Sequence, residues 1–240
     1  MEDFKHFPNK YIDEIEKSDN YFIPVWEDVF SITIPPKELV DIGCGSGKFS
    51  IHLREKYNCQ LMGIDGNKYA LEGANKKGFL KTYLVNDLNS ELLPLSDNSQ
   101  EFVLCKDVLE HLIDPIFLLK QINRILAQNG KLLIHVPNHF PILGRVKFLL
   151  NNDLDPFGYC LGADLWEFPH IRFYTYNAML DMLTKNGFTV TNNFSYHFSA
   201  IPLLSRYKTF KYNRIIKWLS NRYSSNLCSG FTILAKKKVV

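Results

Sequence analysis

This 240-residue sequence has no C-x-x-C pair, no acidic residue beyond position 200 and no run of about 18 apolar residues of the kind a membrane-spanning helix needs. Each absence closes a class of function. The opening MEDFKHFPNK also lacks the charged, then apolar, then small-residue order of a secretory leader, so the chain is expected in the cytoplasm. The five cysteines, Cys44, Cys59, Cys105, Cys160 and Cys228, are odd in number and widely spaced. That argues against zinc or redox work and for free thiols.

What is present begins with charge. The net value of +3 hides an asymmetry: residues 201–240 carry nine bases and no acid, against 19 bases and 25 acids in residues 1–200. The tail is therefore a separate electrostatic object. Within 201–228, Lys208, Lys211, Arg214, Lys217 and Arg222 interleave with Phe210, Tyr212, Ile215, Ile216, Trp218 and Leu219. Such a segment can lie on an anionic membrane or neutralise nucleic-acid phosphates. It can also be a plain capping helix with its apolar side on the core and its lysines in water. The capping helix is preferred, peripheral membrane contact stays open, and nucleic acid is not expected.

An apolar content of 46% can build one core, and the length suits a single α/β domain with insertions. Residues 8–30 read as one or two amphipathic helices broken near Pro24, making 1–34 an N-terminal helical lid. From residue 35, β-rich runs alternate with helical ones: KELVDIG, KFSIHLREKY, QLMGID, NKYALEGANKKG, LKTYLVNDL, SQEFVLCKDV, PIFLLKQINRILAQNG, KLLIHVPN. The last helix is expected to start near Pro115 and stop before Gly130. This rhythm means right-handed crossovers and a parallel, doubly wound sheet. Residues 138–173 interrupt it with prolines, aromatics and a short apolar helix, PILGRVKFLL, and read as an insertion over the sheet's carboxyl edge, where open α/β sheets bind ligands. TVTNNFSYHF and SGFTILAKKK suit an antiparallel pair.

The strongest chemical signal spans residues 38–67. The first strand should end at Ile42 and feed a turn, Gly43, Cys44, Gly45, Ser46, Gly47, that opens a helix at Lys48. Alternate glycines allow positive φ and let a ligand approach the backbone. A helix start behind them offers N–H groups to an anion such as a carboxylate. Asp41 can meet an amino group. Asp65, followed by Gly66 and Asn67, lies where an acid takes the two hydroxyls of a ribose. Asn86, Asp87 and Leu88 close the third strand where an adenine edge would sit. A dinucleotide fingerprint starting at Gly43 needs glycine in place of Lys48, and a phosphate loop ending at Lys48 needs glycine in place of Ile42 and Ser or Thr in place of Phe49. Both are disfavoured. A tight turn without a ligand is the plain alternative.

DIGCGSGKF, GIDGN, VNDL, DVLEHL and NRILAQNGKLLIHVPN together resemble the motifs of class I S-adenosylmethionine-dependent methyltransferases over residues 36–140. The resemblance implies a Rossmann-like sheet of seven strands with the last antiparallel, and S-adenosyl-L-methionine as cofactor with S-adenosyl-L-homocysteine as product. Methyl transfer needs chiefly alignment, with a base only for a hydroxyl acceptor. Cys105, Lys106 and Asp107 end the fourth strand facing the cleft. Lys106, Asp107, His111 and His139 are expected to border the reacting centre, with His111 as first choice of base. A packing or capping histidine is the alternative. D-x-x-E-H also looks like the E-x-x-E-H element of ubiquinone-pathway O-methyltransferases and RNA 3′-end methyltransferases, which implies a subordinate Mg²⁺ reading on Asp107, Glu110 and His111. The run PHIRFYTYNAMLDMLTKNGF resembles a segment of methionine-biosynthesis W-type proteins and of methyltransferases from bacterial surface-glycan clusters. That resemblance implies that residues 138–176 shape the acceptor pocket, with His170, Arg172 and Tyr174 facing the acceptor, and makes a sugar or phosphorylated glycan intermediate the class to test first. Arg172 could clamp a carboxylate or phosphate, or pair with Asp164 or Glu167. The expected activity is methyl transfer to a small molecule, with oxygen favoured over nitrogen. A non-catalytic module that holds the cofactor and acts through a partner protein is the alternative.

Overall fold

Strands covered on both faces need apolar residues at successive positions, and the buried stretches of β1 (Glu38–Ile42), β2 (Gln60–Asp65), β4 (Gln100–Lys106) and β5 (Leu126–Pro137) are largely of that kind. With β3 (Lys81–Leu84), β6 (Phe188–Asn193) and β7 (Gly230–Lys237) they form one seven-stranded sheet in the order β3-β2-β1-β4-β5-β7-β6. β1 to β5 pair in parallel, and β7 runs antiparallel to both β5 and β6. The computed structural model describes residues 9–151, 170–198, 218–219 and 221–238. The expected fold is the one seen, including the antiparallel last strand.

Because side chains alternate across a strand, neighbouring residues build different cores. Val40, Ile42, Val103, Cys105 and Ile134 face α5 (Pro115–Ile125) and α7 (Tyr176–Lys185), which contribute Leu118, Ile122, Met179 and Leu183. Leu39, Leu61, Phe102, Leu104 and Leu133 face the other side. There they meet Leu53 of α3 (Ile51–Tyr57), Leu71 of α4 (Lys68–Lys76), and Val25, Trp26 and Val29 of α2 (Ile23–Ile32). The helix α1 (Asn9–Lys17) buries only Ile12. Chain order reverses between β1 and β4, so the cleft for a ligand opens at their carboxyl ends.

Several boundaries differ from the sequence reading. The break between the first helices falls at residues 18–22, and Pro24 sits in the first turn of α2, where its missing N–H costs nothing. α3 begins at Ile51, three residues after Lys48. β3 stops at Leu84, so Asn86 and Asp87 lie in the turn beyond it. α5 ends at Ile125, not before Gly130: the chain continues as strand, and Asn129, with φ of 63°, supplies the left-handed residue.

Within 138–176, the segment expected to be an insertion, α6 spans Ile142–Asn151, while residues 152–169, including Cys160, Asp164, Trp166 and Glu167, lie outside the described residues. So do residues 201–217 of the basic segment; Trp218 and Leu219 are helical and exposed. A short helix, α8 (Ser224–Leu227), returns to β7 and is anchored by Asn138, whose Nδ2 donates to the carbonyls of Ser225 (3.1 Å) and Cys228 (2.7 Å). Cys44, Cys59, Cys105 and Cys228 are buried thiols outside any disulfide, and among the described residues no helix is long and apolar enough to cross a membrane.

Candidate functional site

β1 ends in the middle of the sheet, so whatever follows it is held rigidly at the cleft. Gly43, Gly45 and Gly47 all adopt positive φ (69°, 53° and 80°). Their surroundings separate them. A Cβ on Gly43 would collide with Cγ2 of Val108, and one on Gly47 with the Phe79 ring, whereas a Cβ on Gly45 meets nothing within 4 Å. Gly43 and Gly47 thus serve packing, and Gly45 keeps a space open.

The backbone of this turn bonds mainly to the protein itself. The N–H groups of Gly43 and Cys44 donate to the Ile64 carbonyl (2.8 and 3.2 Å), Gly47 donates to Cys44 O (2.8 Å), and Gly45 donates to Asp65 Oδ2 (2.8 Å). The expectation that a helix start just after the glycines presents free N–H groups is corrected on this point, because α3 begins only at Ile51. The turn contributes space and shape more than anion binding.

Asp41 is buried and accepts a hydrogen bond from Ser50 Oγ (2.6 Å). Burial pushes its pKa up to about 7, opposed by the Ser50 bond and raised further by Asp65. Asp65 is half-buried and also receives the Asn67 N–H (2.8 Å), and Asn67 caps α4 by accepting from Ala70 N (3.1 Å). Asp41, Asp65, Gly66 and Asn67 therefore line the ends of β1 and β2, as expected. Beyond β3, Asn86 is exposed, while the Asp87 carboxylate holds its own turn, accepting from Asn89 N (3.0 Å), Asn89 Nδ2 (2.8 Å) and Ser90 Oγ (2.8 Å). Leu88 packs against the core.

Lys48, the residue that broke the dinucleotide pattern, ties α1 across the turn. Its Nζ donates to the carbonyls of Glu16 (2.7 Å) and Ser18. Glu16 in turn accepts from Ser46 Oγ and from Lys77 Nζ (2.6 Å). These bonds, with Lys77 foremost, hold the Glu16 carboxyl below the usual range against the opposing effect of burial. Asp13 accepts from Tyr69 Oη (2.8 Å), fixing α1 on α4.

At the end of β4, Lys106 is buried with its Nζ 3.8 Å from the Phe49 ring centroid, bonded to Tyr21 Oη (2.8 Å) and paired with Asp107. Burial alone would lower its pKa, but the Asp107 carboxylate and Tyr21 raise it on balance. Asp107 adopts a left-handed φ of 53° and also faces His135 Nε2 at 3.4 Å. His135 Nδ1 lies 2.7 Å from Thr232 Oγ1, and burial pushes the His135 pKa down to about 4 against the pull of Asp107. Sequence reading missed Tyr21, Phe49 and His135; a lone histidine in the apolar run LLIHVPN was the available signal for the last. Asp107→Asn strands the buried Lys106 charge, and we expect denaturant unfolding to show a loss of about 3–5 kcal/mol.

Past Asp107 the chain makes a 3-10 turn, Leu109–His111. The segment after the insertion is stapled onto it: Ile171 N and Arg172 N both donate to Glu110 O (2.9 and 3.1 Å), and Tyr174 Oη donates to Leu109 O (3.1 Å). The Arg172 guanidinium donates to Leu112 O (3.3 Å) and to Ile113 O. Arg172 and Tyr174 thus bond to backbone, and this places His170 beside His111 with ring centroids 4.8 Å apart. His139 Nε2 lies 2.7 Å from His170 Nδ1. Glu110 is fully buried, and burial, then Asp107, raises its pKa well above the usual carboxylate range. The expected group of Asp107, Glu110 and His111 does not assemble: the ligand-capable atoms that come together belong to Glu110, His111 and His170, while Asp107 is engaged by Lys106 and His135.

The profile of a family described as Methyltransferase domain matches residues 20–193. Among curated proteins, the chain is 33% identical over 106 residues to a malonyl-[acyl-carrier protein] O-methyltransferase of Alcanivorax borkumensis, covering 43% of this chain and 36% of that protein. It is 27% identical over 109 residues to a ubiquinone biosynthesis O-methyltransferase of Coxiella burnetii, covering 45% and 46%. The chain thus spans less than half the length of either relative. A chain solved in complex with the Haloferax volcanii Trm112 methyltransferase activator superposes with a TM-score of 0.65 at 15% identity, covering 96% of this chain and 95% of that one.

Proposed function

This chain belongs to the methyltransferase-domain family, within the class I S-adenosylmethionine-dependent superfamily, and on that premise we propose that it moves a methyl group from S-adenosylmethionine to a hydroxyl of a small acceptor. The observation that carries this reading is the open space at Gly45 between two buried or half-buried acids, Asp41 and Asp65. When bound, the cofactor supplies an activated methyl group, and the protein's work is alignment.

Asp65, oriented by backbone bonds from Gly45 and Asn67, takes the ribose hydroxyls, and Asp41 provides the negative charge for an amino group. Gly43, Cys44 and Gly47 shape the turn, Gly66 and Asn67 border the ribose side, and Asn86, Asp87 and Leu88 border the adenine side. Lys106 and Asp107 position the N-terminal segment through Tyr21. The acceptor stands over His111, His139 and His170, where a hydroxyl can lose its proton. The N-terminal residues act as the cover, with α1 across the turn. Choice of oxygen draws support from the names of both curated relatives, each an O-methyltransferase. The complex with an activator favours one further possibility, that a partner protein completes or stabilises the enzyme.

S-adenosylhomocysteine formation, followed by mass spectrometry with phenol, sugar, sugar-phosphate and carboxylate panels, tests the reading. Product with one class supports it; tight cofactor binding with no turnover on any panel points instead to the partner-dependent module.

Asp41 adds a pH prediction. Its raised pKa means that it is protonated in much of the free protein below about pH 7, while a cationic amino group needs the ionised form. Affinity is therefore expected to climb with pH, by up to about tenfold per unit, and to level off above Asp41's pKa. Calorimetry from pH 5.5 to 8 checks this, and Asp41→Asn should remove the slope.

A further inference from the structure

The helix α1 is held in place by its polar residues. Of its nine residues only Ile12 is buried, so apolar packing contributes little to keeping it there. Asn9, Asp13 and Glu16 follow the i, i+4, i+7 spacing of one helix face, and each bonds on the cofactor side. Asn9 Oδ1 accepts from Asn67 Nδ2 (3.3 Å), Asp13 accepts from Tyr69 Oη (2.8 Å), and Glu16 accepts from Lys77 Nζ (2.6 Å) and from Ser46 Oγ. Ser46 stands next to Gly45 in the glycine turn, and the N–H of Asn67 donates to Asp65. The latch therefore closes on the two segments that border the cofactor. Its Glu16–Lys77 ion pair is partly open to water, with side-chain exposures of 33% and 27%, and pairs of that kind hold weakly.

Tyr11 leaves α1 on a different face. Two positions after Asn9, it points roughly 200° round the helix from that residue, and its hydroxyl is within electrostatic reach of Asp107, Lys106, Tyr21 and Glu110. Although the residue as a whole is 44% exposed, its hydroxyl is desolvated, and this burial, then the Asp107 charge, raises its pKa. The groups it meets are already gathered: Tyr21 Oη lies 2.8 Å from Lys106 Nζ, which sits 5.0 Å from the Tyr21 ring centroid and pairs with Asp107. With one face α1 meets the cradle, and with another the reacting centre.

On the reading that the chain transfers methyl groups, we propose that Tyr11 forms part of the wall of the acceptor chamber and that α1 couples this wall to the cofactor cradle. A cofactor seated between Asp41 and Asp65 fixes the glycine turn and the start of α4, and so strengthens the bonds from Ser46, Asn67 and Lys77 that hold α1 down. α1 in turn holds Tyr11 beside Lys106 and Asp107. By linkage, a molecule filling the chamber under Tyr11 tightens the cofactor by the same factor as the cofactor tightens that molecule. The acceptor therefore binds second, to a chamber that the cofactor completes.

The test uses the 240-residue chain labelled with 3-fluorotyrosine, its Tyr11 and Tyr21 fluorine resonances assigned from Tyr11→Phe and Tyr21→Phe. Placement is read without any ligand. Tyr21→Phe and Lys106→Met should each shift the Tyr11 resonance, whereas Lys81→Met, which removes an ammonium 4.7 Å from the Tyr83 ring centroid, should shift Tyr83 and leave Tyr11 unmoved. Tyr21 is 48% exposed, so its variant reports even where Lys106→Met fails to fold. Coupling is read with S-adenosylhomocysteine. At saturation it should move the Tyr11 resonance in wild type, and Glu16→Ala should weaken its binding at least about fivefold. With an acceptor found in the turnover panels, Tyr11→Ala should raise the acceptor KM about tenfold or more and the S-adenosylhomocysteine Kd by less than about threefold. A Tyr11 resonance indifferent to Tyr21→Phe and Lys106→Met, one indifferent to saturating S-adenosylhomocysteine, or equal affinity in wild type and Glu16→Ala overturns the proposal. Failure of wild type to bind S-adenosylhomocysteine defeats the methyl-donor reading and the coupling with it, while the ligand-free shifts still decide where Tyr11 stands.

Discussion

Gly45→Ala is expected to weaken S-adenosylhomocysteine binding by at least about 100-fold, equivalent to about 2.7 kcal/mol, while the protein remains folded. The argument rests on the contrast among the three turn glycines. All have positive φ, so alanine at any of them carries conformational strain of about 1 kcal/mol. At Gly43 the added methyl group also enters Val108, and at Gly47 it enters Phe79, so these variants damage the fold before they report on a ligand. At Gly45 the methyl group meets no protein atom. Its only new neighbour is whatever the turn holds. Calorimetry alongside thermal unfolding separates the outcomes: a modest fall in Tm with lost binding supports the cradle, and unchanged binding shows that the ligand keeps away from Gly45.

Trp26→Ala is expected to remove about 3–5 kcal/mol of folding stability, read from urea unfolding. Trp26 is fully buried, stacks on Phe30 with centroids 5.6 Å apart and planes 11° from parallel, and donates from Nε1 to the Phe49 carbonyl at 2.8 Å. Removing it opens a cavity against Phe22 and Phe102 and releases the carbonyl just behind the glycine turn. The same geometry distinguishes the two N-terminal helices. A chain lacking α1 should fold and lose cofactor affinity, whereas one lacking α2 should not fold, because α2 roofs one face of the sheet. A loss below about 1 kcal/mol for Trp26→Ala would make α2 a peripheral cover.

The sheet was readable because its signals are local and redundant: apolar strands of five to seven residues such as β1, β2 and β4, glycines at a strand end, and acids closing β1 and β2. Element ends were less readable. Nothing in NRILAQNG says that the left-handed position is Asn129 and not Gly130, since both residues tolerate it. Lys48 excluded two nucleotide patterns by its identity, but its own task, holding α1, depends on carbonyls about 30 positions away that only the folded chain brings near. The acceptor side was hardest. His111 and His170 were each singled out, yet their meeting depends on backbone bonds from residues 171 and 172 to Glu110, and backbone bonds leave no mark in side-chain letters. Arg172 and Tyr174 carry the letters of anion and aromatic recognition and spend their polar atoms on the Leu109–Ile113 turn.

The most direct test of the account is a calorimetric titration of S-adenosylhomocysteine into the 240-residue chain, with NAD titrated in parallel. The structure predicts one binding site per chain for S-adenosylhomocysteine, loss of that binding in Asp65→Ala, and no heat from NAD. Binding of NAD in preference to S-adenosylhomocysteine, or equal S-adenosylhomocysteine binding by wild type and Asp65→Ala, would contradict it.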